Sequence, residues 1–450
     1  MFARMTRRVL VATASLAVFF FAAPQAAQAQ KSDTDNVIKF FQWKVSQDPD
    51  DFFNYDRLGA AYIQKSRETG DVTYFDLARK ALEKSLELES TSAQAAPATK
   101  HLATVYFSEH RFNDALALAQ KALALNPDDL TPWALIGDAQ SEMGNYDKAW
   151  LSYAKLRDLK VSSSDDDGLE YLRVNRESSR AFLSGDTKAA ITKMQRAVDA
   201  SIQAGMAKEN IAWSQFTLGE DYFLAGDLPR AKAAYESSLK TYPNYHRGLS
   251  GLGKVAAAEG HFAQAIGFYQ RAVSVIPLPA YIAALGDVYT RSGNAAEAQK
   301  QYALVEYIAR LSAANQVAYN RELAMFYADH DTHLPEALAL ARKEFDIRHD
   351  IFTWDALAWA LYKNNQPQEA ALAIKQALRL GTNDASLFFH AGVIYEQLGS
   401  LAEAREFLSR AVALNPRFSV LYADAARTRL QTLSKDAVAA KNRGNADAHP

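Results

Sequence analysis

Glycines and a lysine at phosphate-loop spacing stand out first, in Gly248-Leu-Ser-Gly-Leu-Gly253-Lys254-Val255. Such a loop needs Ser or Thr after the lysine to hold magnesium, and a strand leading into the turn. Val255 has no hydroxyl, and the stretch from Tyr242 to His246 reads as a turn. Ser152-x-x-Lys155 and Ser237-x-x-Lys240 have the nucleophile spacing of penicillin-binding enzymes, without the Ser-Asp-Asn and Lys-Thr-Gly partners which that chemistry requires. Asp329-His330-Asp331-Thr332-His333 is metal-like, since imidazole and carboxylate at short spacing can hold zinc or another divalent ion. His349 could join it if the next turn folds beside it. The same cluster lies between two helical patterns, where Asp and Thr cap a helix starting near Pro335. Capping is the reading adopted, so no catalytic residue, metal ligand or cofactor is assigned.

The elements that would position these residues begin after an address. Arg4, Arg7 and Arg8 precede an apolar run from Val9 to Ala23, and Ala27-Gln28-Ala29 has the small-residue pattern of a cleavage site. That is the layout of a secretory signal peptide over residues 1–29, cut after Ala29, and it predicts a periplasmic or secreted protein. The Arg7-Arg8 pair leaves twin-arginine export open beside the general route. No cysteine is present, which excludes disulfides and a lipid-anchored lipoprotein. The chain holds 50 basic and 52 acidic residues; removing the three leader arginines leaves 47 against 52, or −5. A nucleic-acid binder would normally carry a basic excess, so nucleic acid is not expected as a partner. No transmembrane segment is expected in the mature chain either.

Beyond the leader the chain is periodic. From Ala385 to Pro416, Phe388, Ala391, Gly392 and Tyr395 recur at helical spacing, and so do Leu401, Ala404, Leu408 and Ala411 after Gly399. The same set returns as Leu218, Gly219, Tyr222, Gly226, Ala231 and Tyr235, and as Leu252, Gly253, Gly260, Ala265 and Tyr269. It returns again as Leu285, Gly286, Tyr289, Gly293, Ala298 and Tyr302. Large residues at positions 4 and 24, small ones at 8, 20 and 27, Tyr at 11 and Gly at 15 make this pattern resemble a tetratricopeptide repeat. About ten units fit, with a degenerate one around Gly185 and Met194. Val37 to Trp43 reads as an N-terminal cap and Val420 to Leu433 as a C-terminal capping helix. The predicted organisation is residues 33–160 as one block, a polar loop or hinge at 161–170, a second block at 171–433, and a disordered tail at 434–450. The expected fold class is all-α, about three-quarters helix without sheet, with Ala265 facing Gly253 inside its unit.

The resemblance implies a right-handed superhelix, an α-solenoid whose groove is lined by the first helix of each pair, with a protein segment as its usual occupant. Positions 2, 5, 9 and 12 of each first helix form a stripe pointing away from the second helix. In the centre of the chain that stripe reads Trp213, Phe216, Glu220, Phe223, Arg247, Lys254, Asp287, Arg291, Arg321, Phe352 and Trp359. Aromatic residues alternate there with both charge signs, which suits a protein segment. Phe216, Phe223 and Trp359 are the expected anchors, and Arg247, Lys254, Asp287 and Arg291 the orienting charges. The sequence therefore predicts an exported, non-catalytic scaffold or adaptor. An assembly factor for an envelope or polysaccharide-export complex stays open beside it, as does a metal-dependent enzyme built on the His330 turn.

Overall fold

The computed structural model describes residues 33–157, 166–314 and 320–446. The leader lies outside them. Of the described residues 80% are helical, close to the expected three-quarters, and no strand occurs among them. Ten antiparallel helix pairs follow one another at 52–88, 96–125, 132–155, 166–203, 208–241, 246–275, 279–314, 320–345, 351–377 and 385–414. They are numbered here as units 1 to 10. Helix Asp33–Gln47 precedes them and helix Ala423–Ala446 follows.

Unit 10 shows why the pairs form. Asp384 accepts hydrogen bonds from the amides of Ser386 and Leu387 at 2.7 and 3.1 Å, satisfying donors that a helix start leaves free. Gly399, at φ +77°, turns the chain out of the first helix, a conformation that costs a residue with a Cβ roughly 1–2 kcal/mol. The apolar faces of the two helices then close on each other over Phe388, Leu408 and Ala411.

In units 3, 5, 6 and 7 the helices of a pair touch because a glycine removes one side chain and a tyrosine ring takes its place, whereas leucine does so in units 1 and 10. A Cβ built on Gly219 would lie 2.4 Å from Cε1 of Tyr235. Gly253 meets Tyr269 in the same way. Ala265 is fully buried in a cluster with Ala256 and Ala257 of the sibling helix, the helix it was expected to face, and with Leu285 of unit 7. Two boundaries differ from the sequence reading. The expected hinge at 161–170 is already helix from Asp166, because Leu172 and Val174 draw that segment onto its neighbours. The terminal helix continues to Ala446, past the expected start of a disordered tail at Ser434, with Leu430 and Leu433 holding it against unit 10.

The units wind into a coil tight enough to touch itself. The turn inside unit 3 meets the connection entering unit 9. Arg348 binds Glu142 at 3.0 Å across 206 residues, and the Ile351 amide donates to Tyr146 Oη at 2.9 Å across 205. The turn of unit 4 meets the connection entering unit 10, where Thr382 Oγ1 donates to the Leu183 carbonyl and Asn383 Nδ2 to that of Gly185. Beyond unit 10, Asn415 Nδ2 reaches the Phe223 carbonyl of unit 5 at 2.7 Å. The first two contacts join a unit to the connection entering the sixth one after it, and the third joins unit 5 to the connection entering the terminal helix, so one edge of the solenoid seals against the other. Arg348 is buried in this seam with Glu344 at 2.5 Å and Asp350 at 3.9 Å, and Asn320 occupies the second oxygen of Glu344.

Glycine marks the seam. Gly144 sits at φ +74°, and a Cβ there would lie 2.4 Å from the His349 carbonyl oxygen of the next turn. Gly293 has φ +82° at the same repeat position with nothing within 4 Å. Gly293→Ala should therefore cost only the backbone strain of about 1–2 kcal/mol. Gly144→Ala should cost that plus about 1–3 kcal/mol of overpacking, and should separate the turns. Denaturant titration of both variants tests this, and equal losses would mean that the seam does not form in solution.

Candidate functional site

On the inner stripe, an acid at position 9 of the first helix is held twice. Asp138 accepts from Tyr153 Oη at 2.8 Å and from Arg176 Nη2 at 2.7 Å. Glu220 accepts from Tyr235 Oη at 2.5 Å and Lys254 Nζ at 2.5 Å. Asp287 accepts from Tyr302 Oη at 2.9 Å and His330 Nε2 at 2.7 Å. In all three the tyrosine comes 15 residues after the acid, from the second helix of the same unit. The base comes from the next unit. The result is a ladder of three tyrosine–acid–base rungs tying unit 3 to unit 4, unit 5 to unit 6 and unit 7 to unit 8. Burial, and then the adjacent acid, raises the pKa of Tyr153, Tyr235 and Tyr302, so each keeps its proton as a donor.

His330 shows how the charges are settled. Its Nε2 faces Asp287 and its Nδ1 the Phe326 carbonyl oxygen at 2.7 Å; both are acceptors, so the ring carries both protons. Burial opposes that charge, but the hydrogen bond and charge of Asp287 outweigh it and raise the imidazole pKa above its usual value. With both nitrogens engaged, His330 is a rung of the ladder and not a ligand waiting for metal. His333 is exposed and starts the next helix in a left-handed conformation without a side-chain cap, so neither Asp331 nor Thr332 is its N-cap. His349 lies in the seam, its amide on the Glu142 carbonyl. Among the described residues, no three His, Cys, Asp or Glu side chains form a group able to hold a metal. Ser152 and Ser237 donate to the carbonyls of Lys148 and Ala233 one helical turn back. No base activates either.

The eleven stripe residues fall into distinct roles. Glu220, Lys254 and Asp287 are rungs. Arg321 lies 3.5 Å from Asp350 beside the seam, and Phe352 stacks on Phe182 across it at 6.4 Å. Arg291 pairs with Asp424 at 2.5 Å. Two of the three expected anchors are core. Phe223 is 4% exposed within the apolar cluster of units 4 to 6, and its carbonyl takes the seam bond from Asn415. Trp359 is 2% exposed, stacked on His390 at 4.1 Å, with Nε1 donating to Asp329. The coil is narrower than the stripe argument supposed, and side chains aimed at the groove meet the neighbouring unit instead. Trp213 and Phe216 are half-buried and Arg247 is exposed on the first helices of units 5 and 6. The sequence reading missed the rung residues Asp138, Tyr153 and Arg176, and the parallel pairs Asp56–His101 and Asp355–His390 at 2.7 and 2.9 Å. An acid followed by tyrosine 15 residues later was the available signal.

Residues 216–281 and 356–417 match one family model described as tetratricopeptide repeat, and residues 106–150 match a second. The chain is similar to stress-induced-phosphoprotein 1 of Caenorhabditis elegans, 23% identical over 41% of this chain and 49% of that protein. It is also similar to the human protein O-mannosyl-transferase TMTC3, 26% identical over 41% of this chain and 21% of that one. It thus spans about half and a fifth of the length of those relatives. Among solved structures, the APC/C hetero-tetramer Cut9–Hcn1 aligns over 90% of this chain and 93% of that one, at 15% identity and TM-score 0.32. The type IV pilus biogenesis factor PilW aligns over 48% of this chain and 93% of its own, at 17% identity and TM-score 0.38.

Next to the Glu220 rung, Asp221 is buried and its Oδ2 lacks a hydrogen-bond partner. Burial first, and then the Glu220 charge, pushes its pKa up to about 7. The folded state keeps a proton that the unfolded chain releases near the ordinary value of 3.8, so stability falls as pH rises between those values. Asp221→Asn should match the wild type at pH 4. At pH 8 it should be more stable by on the order of 3 kcal/mol. Urea titrations at both pH values check this; identical curves at pH 8 would place a compensating charge beside Asp221.

Proposed function

We propose that this chain, a tetratricopeptide repeat protein, is an exported scaffold that holds a segment of another protein against the interior of its coil. Repeat arrays of this family bind proteins, and the fold typically serves as a non-catalytic scaffold. The observation carrying the reading is the settlement of interior charge. The rungs of Asp138, Glu220 and Asp287 spend their acids and bases on one another, leaving no free nucleophile or acid–base pair among them. The half-buried indole and phenyl of Trp213 and Phe216, with exposed Arg247 beside them, supply apolar contact area and one orienting charge.

Export rests on the leader pattern of residues 1–29. Fractionation with N-terminal sequencing should find the protein outside the cytoplasm beginning at Gln30; a cytoplasmic chain retaining Met1 would overturn that part. For binding, Trp213→Ala with Phe216→Ala should weaken capture of the partner from the envelope fraction by about 2 kcal/mol or more, the range for losing buried anchors. His330→Ala should lower stability more than capture. Undiminished capture by the Trp213/Phe216 variant would move the site elsewhere on the coil.

A further inference from the structure

The chain after unit 10 does more than cover its last apolar face. Ala426, Leu430 and Leu433 pack on the second helix of unit 10, as a cap would. The residues just before them turn inward. Phe418 lies 5.8 Å from the ring of Phe389 in unit 10, and Tyr422 stacks on that ring at 4.9 Å and 24°. Tyr422 also meets Trp359 of unit 9 edge-on at 5.6 Å. Its hydroxyl reaches the end of the first helix of unit 8, at 3.0 Å from the Asp329 carbonyl oxygen and 3.1 Å from Asp329 Oδ1. Asp424 binds Arg291 of unit 7 across 133 residues, and Val420 packs on the cluster around Leu285 and Tyr289. With the seam joining units six apart, contacts three and four units apart run across the interior of the coil and not along its wall. A surface cap has no reason to make them.

The pieces have the make-up of a recognition site. An aromatic wall of Trp359 and Phe389 receives a ring. Asp329 is half-buried and already accepts from the Trp359 indole at 2.8 Å, so it is oriented to accept a second donor. Arg291 stands at the rim for an anion, and that ion pair remains exposed, which suits steering more than permanent closure.

We propose that the interior face of units 7 to 10 is a receptor for a protein segment carrying an aromatic hydroxyl and, two residues on, a carboxylate, and that residues 418–424 occupy it as a built-in competitor. The proposal deepens the protein-binding reading, on which it rests, by naming the chemistry of the segment and the state of the site before it arrives. An external segment gains the site by displacing Tyr422 and Asp424 while the rest of the terminal helix stays on unit 10.

A labelled peptide spanning residues 415–434 tests it without knowledge of the natural partner. Full-length protein with Tyr422→Ala, Asp424→Arg and Leu430→Asp, confirmed helical by circular dichroism, should bind that peptide at least tenfold more tightly than the wild type. A peptide with Tyr422→Ala and Asp424→Ala should bind at least tenfold more weakly than the natural one. No gain over the wild type, or equal binding of the two peptides, overturns the proposal. Should the triple variant not fold, hydrogen exchange on the wild type decides: amides of 418–424 should exchange at least tenfold faster than those of 401–414, and exchange at one common rate overturns it. Because no outside partner enters, a negative result here leaves the Trp213/Phe216 capture experiment to judge the broader reading.

Discussion

The contact between successive turns governs the rest of this structure. A repeat array ordinarily grows as a one-dimensional stack in which each unit meets only its neighbours. Here Glu142 and Arg348, Tyr146 and Ile351, and Leu183 and Thr382 join units six apart, and Phe223 and Asn415 join unit 5 to the chain leaving unit 10. Much of the seam is backbone carbonyl and amide meeting a side chain, so its geometry depends on the path of the chain and tolerates little slippage. The buried Arg348 cluster adds a register mark. Replacing one partner there would strand a charge in the interior, which is costlier than the pair is stabilising.

Tight winding also explains the interior. A narrow coil brings the first helices close enough for a base on one unit to reach the acid of the unit before it, and the tyrosine of the second helix closes each rung. Lys254 shows both effects, since it pairs with Glu220 while its ammonium lies 4.9 Å above the ring of Phe223. Residues that a wide groove would offer to a ligand become the mortar between units. What is left for recognition is a smaller set, the half-buried aromatics of unit 5 with Arg247 of unit 6, and the Trp359–Phe389 wall near the end of the chain.

Helix pairs, their number and the glycine turns were legible in the sequence, because spacings of three and four residues and a glycine at position 15 are local signals. The pairing of Gly219 with Tyr235 was within reach too, since both stand at pattern positions. Winding radius was not legible. It depends on small inclinations between neighbouring pairs that no single residue announces, whereas Phe223 and Trp359 are buried by the units adjacent to them. Gly144 and Gly293 carry the same letter for different reasons: one faces a carbonyl of the next turn and the other faces open space. The interior placement of Tyr422 escaped the reading for the same cause, because an amphipathic helix after the last unit looks the same whether its first turn faces outward or across the coil.

The seam changes how such a chain can evolve. In an open solenoid, duplication or loss of a unit in the middle is absorbed by lengthening or shortening the stack. Here one unit inserted between units 5 and 6 would leave Gly144 and Gly185 opposite the wrong connections. Both edges would have to be rewritten at once. Length variation is therefore confined to the two ends, and the interior copy number is frozen by the pitch of the coil.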